Sequence, residues 1–380
     1  MLSRVAESIY WMSRYVERAE NVARFVDVNL NLMLDAPSGA DQQWWPLVNT
    51  TGDHDDFEKR HGKATQQNVI HFLTFDRDNP NSVVSCLRAS RENARSVREI
   101  ISSEMWLQLN KFYLMVNHAE ATGKGMESPA EFFDEVKNAC HLFNGVTAAT
   151  MTHGEAWHFG PMLGRMLERA DKTSRILDLR YKALPEKGVP KTVNQTDVLE
   201  WSAILRSCSA WDAYKSIHGA EVSPRLVAEF LLLNEDFPRS ARFCIGKLNV
   251  ALRRISGVAE DRFCNDAEKL AGRLVAELQF STIDEIFEAG LHDYLDLLQM
   301  KLNNIGAAMF NTYIFQPFST LEEEIMVQQE EQQQQERRPP ARRVPVGVQA
   351  SACSPDTREL QRAVPEAGAP KCGAIVNRKS

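Results

Sequence analysis

A glutamate and an arginine set side by side on a helix can do two kinds of chemistry. The carboxylate can take a proton as a general base or anchor a ligand, and the guanidinium can grip a phosphate or carboxylate with parallel donors while staying charged. The chain carries this pair twice, in matching surroundings. Arg14, Glu17, Arg18, Ala19, Arg24 and Asp27 return at one constant offset as Arg165, Glu168, Arg169, Ala170, Arg175 and Asp178, and Glu20 returns as Asp171 with its charge kept. Glu17 and Glu168 are therefore candidate bases or anchors. Arg14, Arg18, Arg24, Arg165, Arg169 and Arg175 are candidate anion ligands. The same residues fit a structural reading, in which each arginine satisfies its fork of donors on a carboxylate inside a core. Residue types alone leave both readings open.

Other constellations are weaker. Arg239, Ser240 and Arg242 follow Asp236 and Pro238 at the start of a helix and make a secondary anion candidate, although Ser82 and Ser240 both read first as helix caps. Glu155-Ala-Trp-His158 has the Glu-x-x-His spacing of helical di-iron sites, which need a second such motif. The matching positions hold Arg4 and Glu7, so no metal and no cofactor is expected. Cys86 and Cys244 are repeated in apolar helix starts, which suits packing better than nucleophilic catalysis. The nucleotide-loop, serine-elbow and zinc-protease signatures are missing.

The repetition continues beyond the Glu-Arg helix. Trp45 and Asp56 meet Trp201 and Asp212, while Phe72, Leu73, Asp78, Pro80, Ser82 and Cys86 meet Phe230, Leu231, Asp236, Pro238, Ser240 and Cys244 at slightly larger offsets. The chain thus reads as an internal duplication with a pseudo-twofold relation between its halves. The first repeat spans 1–153 and the second 154–318. Residues 319–380, a Gln/Glu run followed by a Pro/Arg-rich end, are too poor in apolar side chains to offset their ordering entropy and are expected to be disordered.

The elements that must position the charges are helices. Val5, Ile9, Met12, Val16, Ala19, Ala23, Val26, Leu30 and Met33 step by four and three without a break, predicting one long helix over 2–35. Tyr10, Trp11 and Phe25 lie on the faces that carry Glu17, Arg18 and Arg24, so those charges are expected in an enclosed groove rather than on a solvated side. Ala19 and Ala170 are expected to let the two Glu-Arg helices approach closely. Further helices are predicted over 41–60 and 64–75, from a cap and first-turn proline in Asp78-Asn-Pro80-Asn-Ser82 to about 102, over 104–121, and from Pro129 to about 152 behind a capping box at Ser128. In the second repeat they are predicted from 155 to Pro185, then over 196–217, 224–235, 238–257, 259–279 and 283–314. No stretch alternates with period two, so the fold class is all-α.

Composition narrows the classes of function. The 380 residues carry a net charge of −7, which gives no overall field for nucleic acid. Seven scattered cysteines without a Cys-x-x-Cys pair suit a reducing compartment. Charges at Arg4, Glu7 and Arg14 exclude a signal-peptide core, and no apolar run approaches the roughly 18 residues a membrane span needs. A cytoplasmic protein is expected.

Four stretches carry a family resemblance: Leu2 to Asn21, Arg91 to Trp106, Gly164 to Asp171 and Phe237 to Cys244. Together they cover about residues 1 to 315, and the chain resembles the bacterial alpha-E domain family, helical proteins named for a Glu-Arg motif. The resemblance implies no established activity. It implies company: circularly permuted ATP-grasp ligases, transglutaminase-like peptidases and proteasome-like hydrolases, and hence a pathway that makes, attaches or removes a peptide. The expectation is an accessory protein that binds an ATP-grasp-type ligase, its peptide or an anionic small molecule through the Arg/Glu groove. The alternative is an enzyme acting on a peptide or amino-acid derivative with Glu17 or Glu168 as base.

Overall fold

The computed structural model describes residues 1–35, 44–181, 195–259 and 262–315, and among them every regular element is helical. The chain begins with α1 (Ser3–Asp35), α2 (Trp45–Thr51), α3 (His54–His61), α4 (Gln66–Thr74), α5 (Val83–Ser96), α6 (Ser103–Thr122), α7 (Lys124–Glu127) and α8 (Pro129–Thr150). It continues through α9 (Glu155–Trp157), a π-helix (His158–Gly164), α10 (Arg165–Tyr181), α11 (Gln195–Ser207), α12 (Trp211–His218) and α13 (Pro224–Leu233). Then come α14 (Ala241–Ser256), α15 (Asp266–Phe280), α16 (Ile283–Ala289) and α17 (Leu291–Tyr313).

Helix α1 is central because it has apolar or aromatic residues on every side. Ile9, Met12, Val16 and Val22 are buried, and so are Tyr10, Phe25 and Glu17 on other faces. Each large apolar side chain so buried contributes about 1.5–3 kcal/mol. The helix packs on α5, α8, the π-helix and α10, and α10 in turn packs on α14 and α17. The two Glu-Arg helices are therefore neighbours in the core.

Ala19 and Ala170 are both fully buried, and glycines bring the turn before α10 close against α1. A Cβ placed on Gly164 would lie 2.5 Å from the Tyr10 carbonyl oxygen, and one on Gly160 would lie 2.7 Å from the Ile9 side chain. Between them sits Pro161, which has no N–H to donate and so favours the widened turn seen there. The π-helix delivers α10 flat against α1.

Several predicted helices are broken by single left-handed residues. The predicted 41–60 helix ends its first piece at Gly52 (φ 81°), and 196–217 divides at Ser209 (φ 51°). The predicted 283–314 helix divides at Gly290 (φ 96°). Helix α5 stops at Ser96, short of the predicted 102. Ser82 and Ser240 do cap their helices, accepting from the Ser85 and Phe243 amides at 3.2 and 3.1 Å. Ser128 does not: its side chain makes no cap bond, and Pro129 alone opens α8.

All described residues belong to one compact unit, Met1–Leu321. The tail expected over 319–380 and the loop through Gly188 and Pro190 lie outside the described residues. Among the described residues no helix is long and apolar enough to cross a membrane.

Candidate functional site

The repeated Glu-Arg pairs meet across the α1–α10 contact, and each glutamate is gripped by the motif arginine of the other helix. Glu17 accepts from Arg169 Nε at 2.8 Å and Arg169 Nη2 at 2.9 Å, and from Arg239 Nη1 at 2.9 Å. Glu168 accepts from Arg18 Nε at 2.7 Å and Arg18 Nη2 at 3.0 Å, and from Arg14 Nε at 2.8 Å. Both carboxylates have no exposed side-chain surface, whereas Arg169, Arg18 and Arg14 keep 11%, 15% and 16%. The acids are inside and the arginines reach in from the rim.

Around this reciprocal clasp the two ends differ. At the Glu17 end Arg239 is buried and also donates to Asn21 Oδ1 at 3.0 Å and to Glu20. Arg24 Nη2 donates to the same Glu20 oxygen at 2.7 Å. At the Glu168 end the position matching Arg239 is Asn81, which accepts from Arg18 Nη1 at 2.7 Å. The position matching Asn21 is Lys172, a buried cation 3.6 Å from Asp171, which also takes Arg175 Nε at 2.9 Å. Each end thus has a cation where the sequence offset puts an asparagine at the other. Arg14 and Arg165 differ too: Arg14 clamps Glu168, but Arg165 Nη1 donates only to Asn144 Oδ1, at 3.2 Å, and its Nε is buried without a partner.

These contacts set the charge states. Burial works to raise the Glu17 carboxyl, but Arg169 and Arg239 outweigh it and hold it at about 2. Burial likewise opposes ionisation of Glu168, and Arg18 and Arg14 bring it well below the usual carboxylate range. Burial, then repulsion from Arg169, pulls Arg165 down to about 10. Burial also lowers Lys172, although Asp171 and Glu168 pull the other way. A general base needs access to its proton donor and a pKa near the working pH. Glu17 and Glu168 have neither, so the catalytic role allowed for them by the sequence is not one this geometry supports.

A family model described as "a predicted alpha-helical domain with a conserved ER motif", named Alpha-E, matches residues 1–314. The chain belongs to the Alpha-E family. Its Glu17-Arg18 and Glu168-Arg169 pairs are both instances of Glu followed by Arg, the two letters of that motif. It is also 22% identical over 324 residues to uncharacterized proteins of Mycobacterium bovis and of Mycobacterium tuberculosis strains CDC 1551 and H37Rv. The alignment covers 80% of this chain and 35% of each relative, so the chain spans about a third of their length. No solved structure matches it.

Within this Alpha-E chain the secondary anion candidate comes apart. Arg239 belongs to the clasp, Ser240 is a buried cap whose hydroxyl donates to the Asn234 carbonyl, and Arg242 Nη2 pairs with Glu235 at 2.7 Å. Cys86 and Cys244 are buried, face the Pro80 and Pro238 carbonyls at 3.7 and 3.5 Å, and are each pushed up to about 12 by burial. They are packing residues, as their setting suggested. Glu155 pairs with the chain's N-terminal amine at 2.8 Å.

Two clefts border the clasp. One, of about 220 Å³, is lined by Tyr10, Trp11, Arg14, Asp171, Asn303 and Phe310. The other, of about 610 Å³, is lined by His54, Arg175, Asp178, Asp296 and Gln299 among others. The sequence reading missed His292 and Asp296, which stand beside Asp178 in the second cleft region. Their i, i+4 spacing on α17 was readable. That Asp178 would join them was not.

Proposed function

We propose that this chain is a helical binding protein, not itself catalytic, that serves a bacterial peptide-synthesis or peptide-modification system alongside an ATP-grasp-type ligase. In this reading residues 1–153 and 154–318 are two copies of one repeat related by a pseudo-twofold axis, and the Glu-Arg motif is the clasp that closes one on the other. One observation carries it: each motif glutamate is fully buried and held ionised by the motif arginine of the opposite helix together with a second arginine, Arg239 for Glu17 and Arg14 for Glu168. A carboxylate so held cannot turn over a substrate. It can set the spacing and angle of α1 and α10, and with them the rim where Trp11, Arg14, Asn303 and Phe310 face a cleft that fits part of a peptide or a small anion.

The partner class rests on the family resemblance, with a transglutaminase-like protein as a second member of the same company. The test is affinity purification of the full chain from its native cells, with mass spectrometry of what it retains. Recovery of an ATP-grasp-type ligase with the wild type, and its loss in Trp11→Ala at unchanged thermal stability, is the expected result. Failure to retain any ligase, or turnover of a peptide substrate by the chain alone, would contradict it.

A further inference from the structure

The two motif aspartates, Asp27 and Asp178, sit at matching places on α1 and α10 but meet different chemistry. Lys137 of α8 places its ammonium 2.7 Å from Asp27 and closes that end with an ordinary ion pair. Asp178 meets His292 of α17, with Nδ1 2.6 Å from its Oδ1. Behind the ring is a buried carboxylate. In front of it, His292 Nε2 faces Asp296 Oδ2 at 3.5 Å, one helical turn along α17. Ligand atoms of the three residues lie within 4.8 Å of one another.

We propose that His292 Nε2 and Asp296 are the protein ligands of a divalent cation of the zinc class, with Asp178 as the buried carboxylate that orients the imidazole. When Asp178 takes the Nδ1 proton, Nε2 carries a lone pair, and the group it faces is another lone-pair donor. A cation between them resolves that confrontation. The spacing suits one: with bonds of about 2.0–2.2 Å, two donors of a tetrahedral zinc stand roughly 3.4 Å apart. A carboxylate behind a metal-bound imidazole is the usual outer arrangement, and imidazole with carboxylate suits zinc, cobalt or nickel better than calcium. Among the described residues this is the one such group of histidine and carboxylate ligand atoms, so one cation is expected per chain.

Asp296 is exposed and His292 partly so, which leaves the remaining coordination positions open. Arg175 and His54 line the same cleft, and Arg175 is turned toward Asp171 at 2.9 Å. Water or a carboxylate brought by a partner would complete the shell. The site is independent of the ligase reading, since the cation needs no partner to bind.

The experiment is titration of the full chain, stripped with a chelator, with cobalt(II) chloride, followed by visible absorbance and calorimetry. We expect one saturable site with nitrogen/oxygen-type bands. His292→Ala and Asp296→Ala should each weaken it at least tenfold, Asp178→Asn by 10- to 100-fold, and His118→Ala on the far helix α6 not at all. Circular dichroism melts confirm that the variants fold. Absence of saturable binding would mean that a protonated His292 bridges the two carboxylates unaided, and would overturn the proposal. Binding retained in the His292→Ala/Asp296→Ala double variant, or thiolate charge-transfer bands, would overturn it too.

Discussion

The Glu17 end and the Glu168 end of the clasp solve one problem with different residues. Each must neutralise two acids in the core, Glu17 with Glu20 and Glu168 with Asp171. The first brings Arg239 from the segment before α14 and leaves Asn21 neutral. The second leaves the corresponding Asn81 neutral and places Lys172 on α10 itself. What stays fixed is the count of charges, while the route by which each cation arrives varies. A ligand site would hold geometry more tightly than charge, so the difference speaks for a structural network. Arg14 and Arg165 make the same point from the other side, since only the first of that pair has a carboxylate to hold.

The largest effects come from removing the acids. Glu17→Gln leaves Arg169 and Arg239 without their counter-charge and should cost about 3–5 kcal/mol in urea denaturation, and Glu168→Gln a similar amount. Retention of full stability by either would break the equivalence of the two ends. The next test transplants one solution onto the other: Arg239→Asn should cost about 3 kcal/mol, and adding Asn21→Lys should recover roughly half of it. No recovery would mean that position matters as much as charge.

Acid sensitivity follows from the carboxyl shifts. Both folded-state values lie below the unfolded value, so the stabilisation they give is full above about pH 4.5. It is lost as pH falls through the folded values, near 2 for Glu17. Melting temperatures should therefore drop between about pH 4.5 and 2, and the drop should flatten in the Glu17→Gln/Glu168→Gln double variant. The smallest effect separates the two outer arginines. Arg14→Met should cost about 3 kcal/mol or more, whereas Arg165→Met, which removes a buried cation hydrogen-bonded to Asn144 and drawn to Glu17 and Glu20 without a direct ion pair, should change stability by about 1 kcal/mol or less. Equal costs would show that the attraction of Glu17 and Glu20 holds Arg165 as firmly as a direct ion pair holds Arg14.

Much of this was legible in the sequence. The unbroken four-and-three spacing of α1 gave its length, and Tyr10, Trp11 and Phe25 beside the charges said that those charges are enclosed. Helix breaks were not legible where a single residue takes a left-handed conformation, as Ser209 does without being glycine. The π-helix had a signal in Gly160, Pro161 and Gly164, but its effect depends on α1 lying against it. Arg239 was read as an anion ligand because its helix start is local. Its true partner, Glu17, is 222 residues away, and only the fold brings them together.

The most direct test of the clasp is a carboxyl carbon-13 NMR titration of chains labelled at glutamate, with Glu17 and Glu168 assigned from their Gln variants. The account predicts that neither carboxyl titrates in the ordinary range near pH 4.3 while the protein remains folded. A midpoint at or above that value for either residue would mark an accessible, tunable carboxylate and contradict the structural role assigned to the motif.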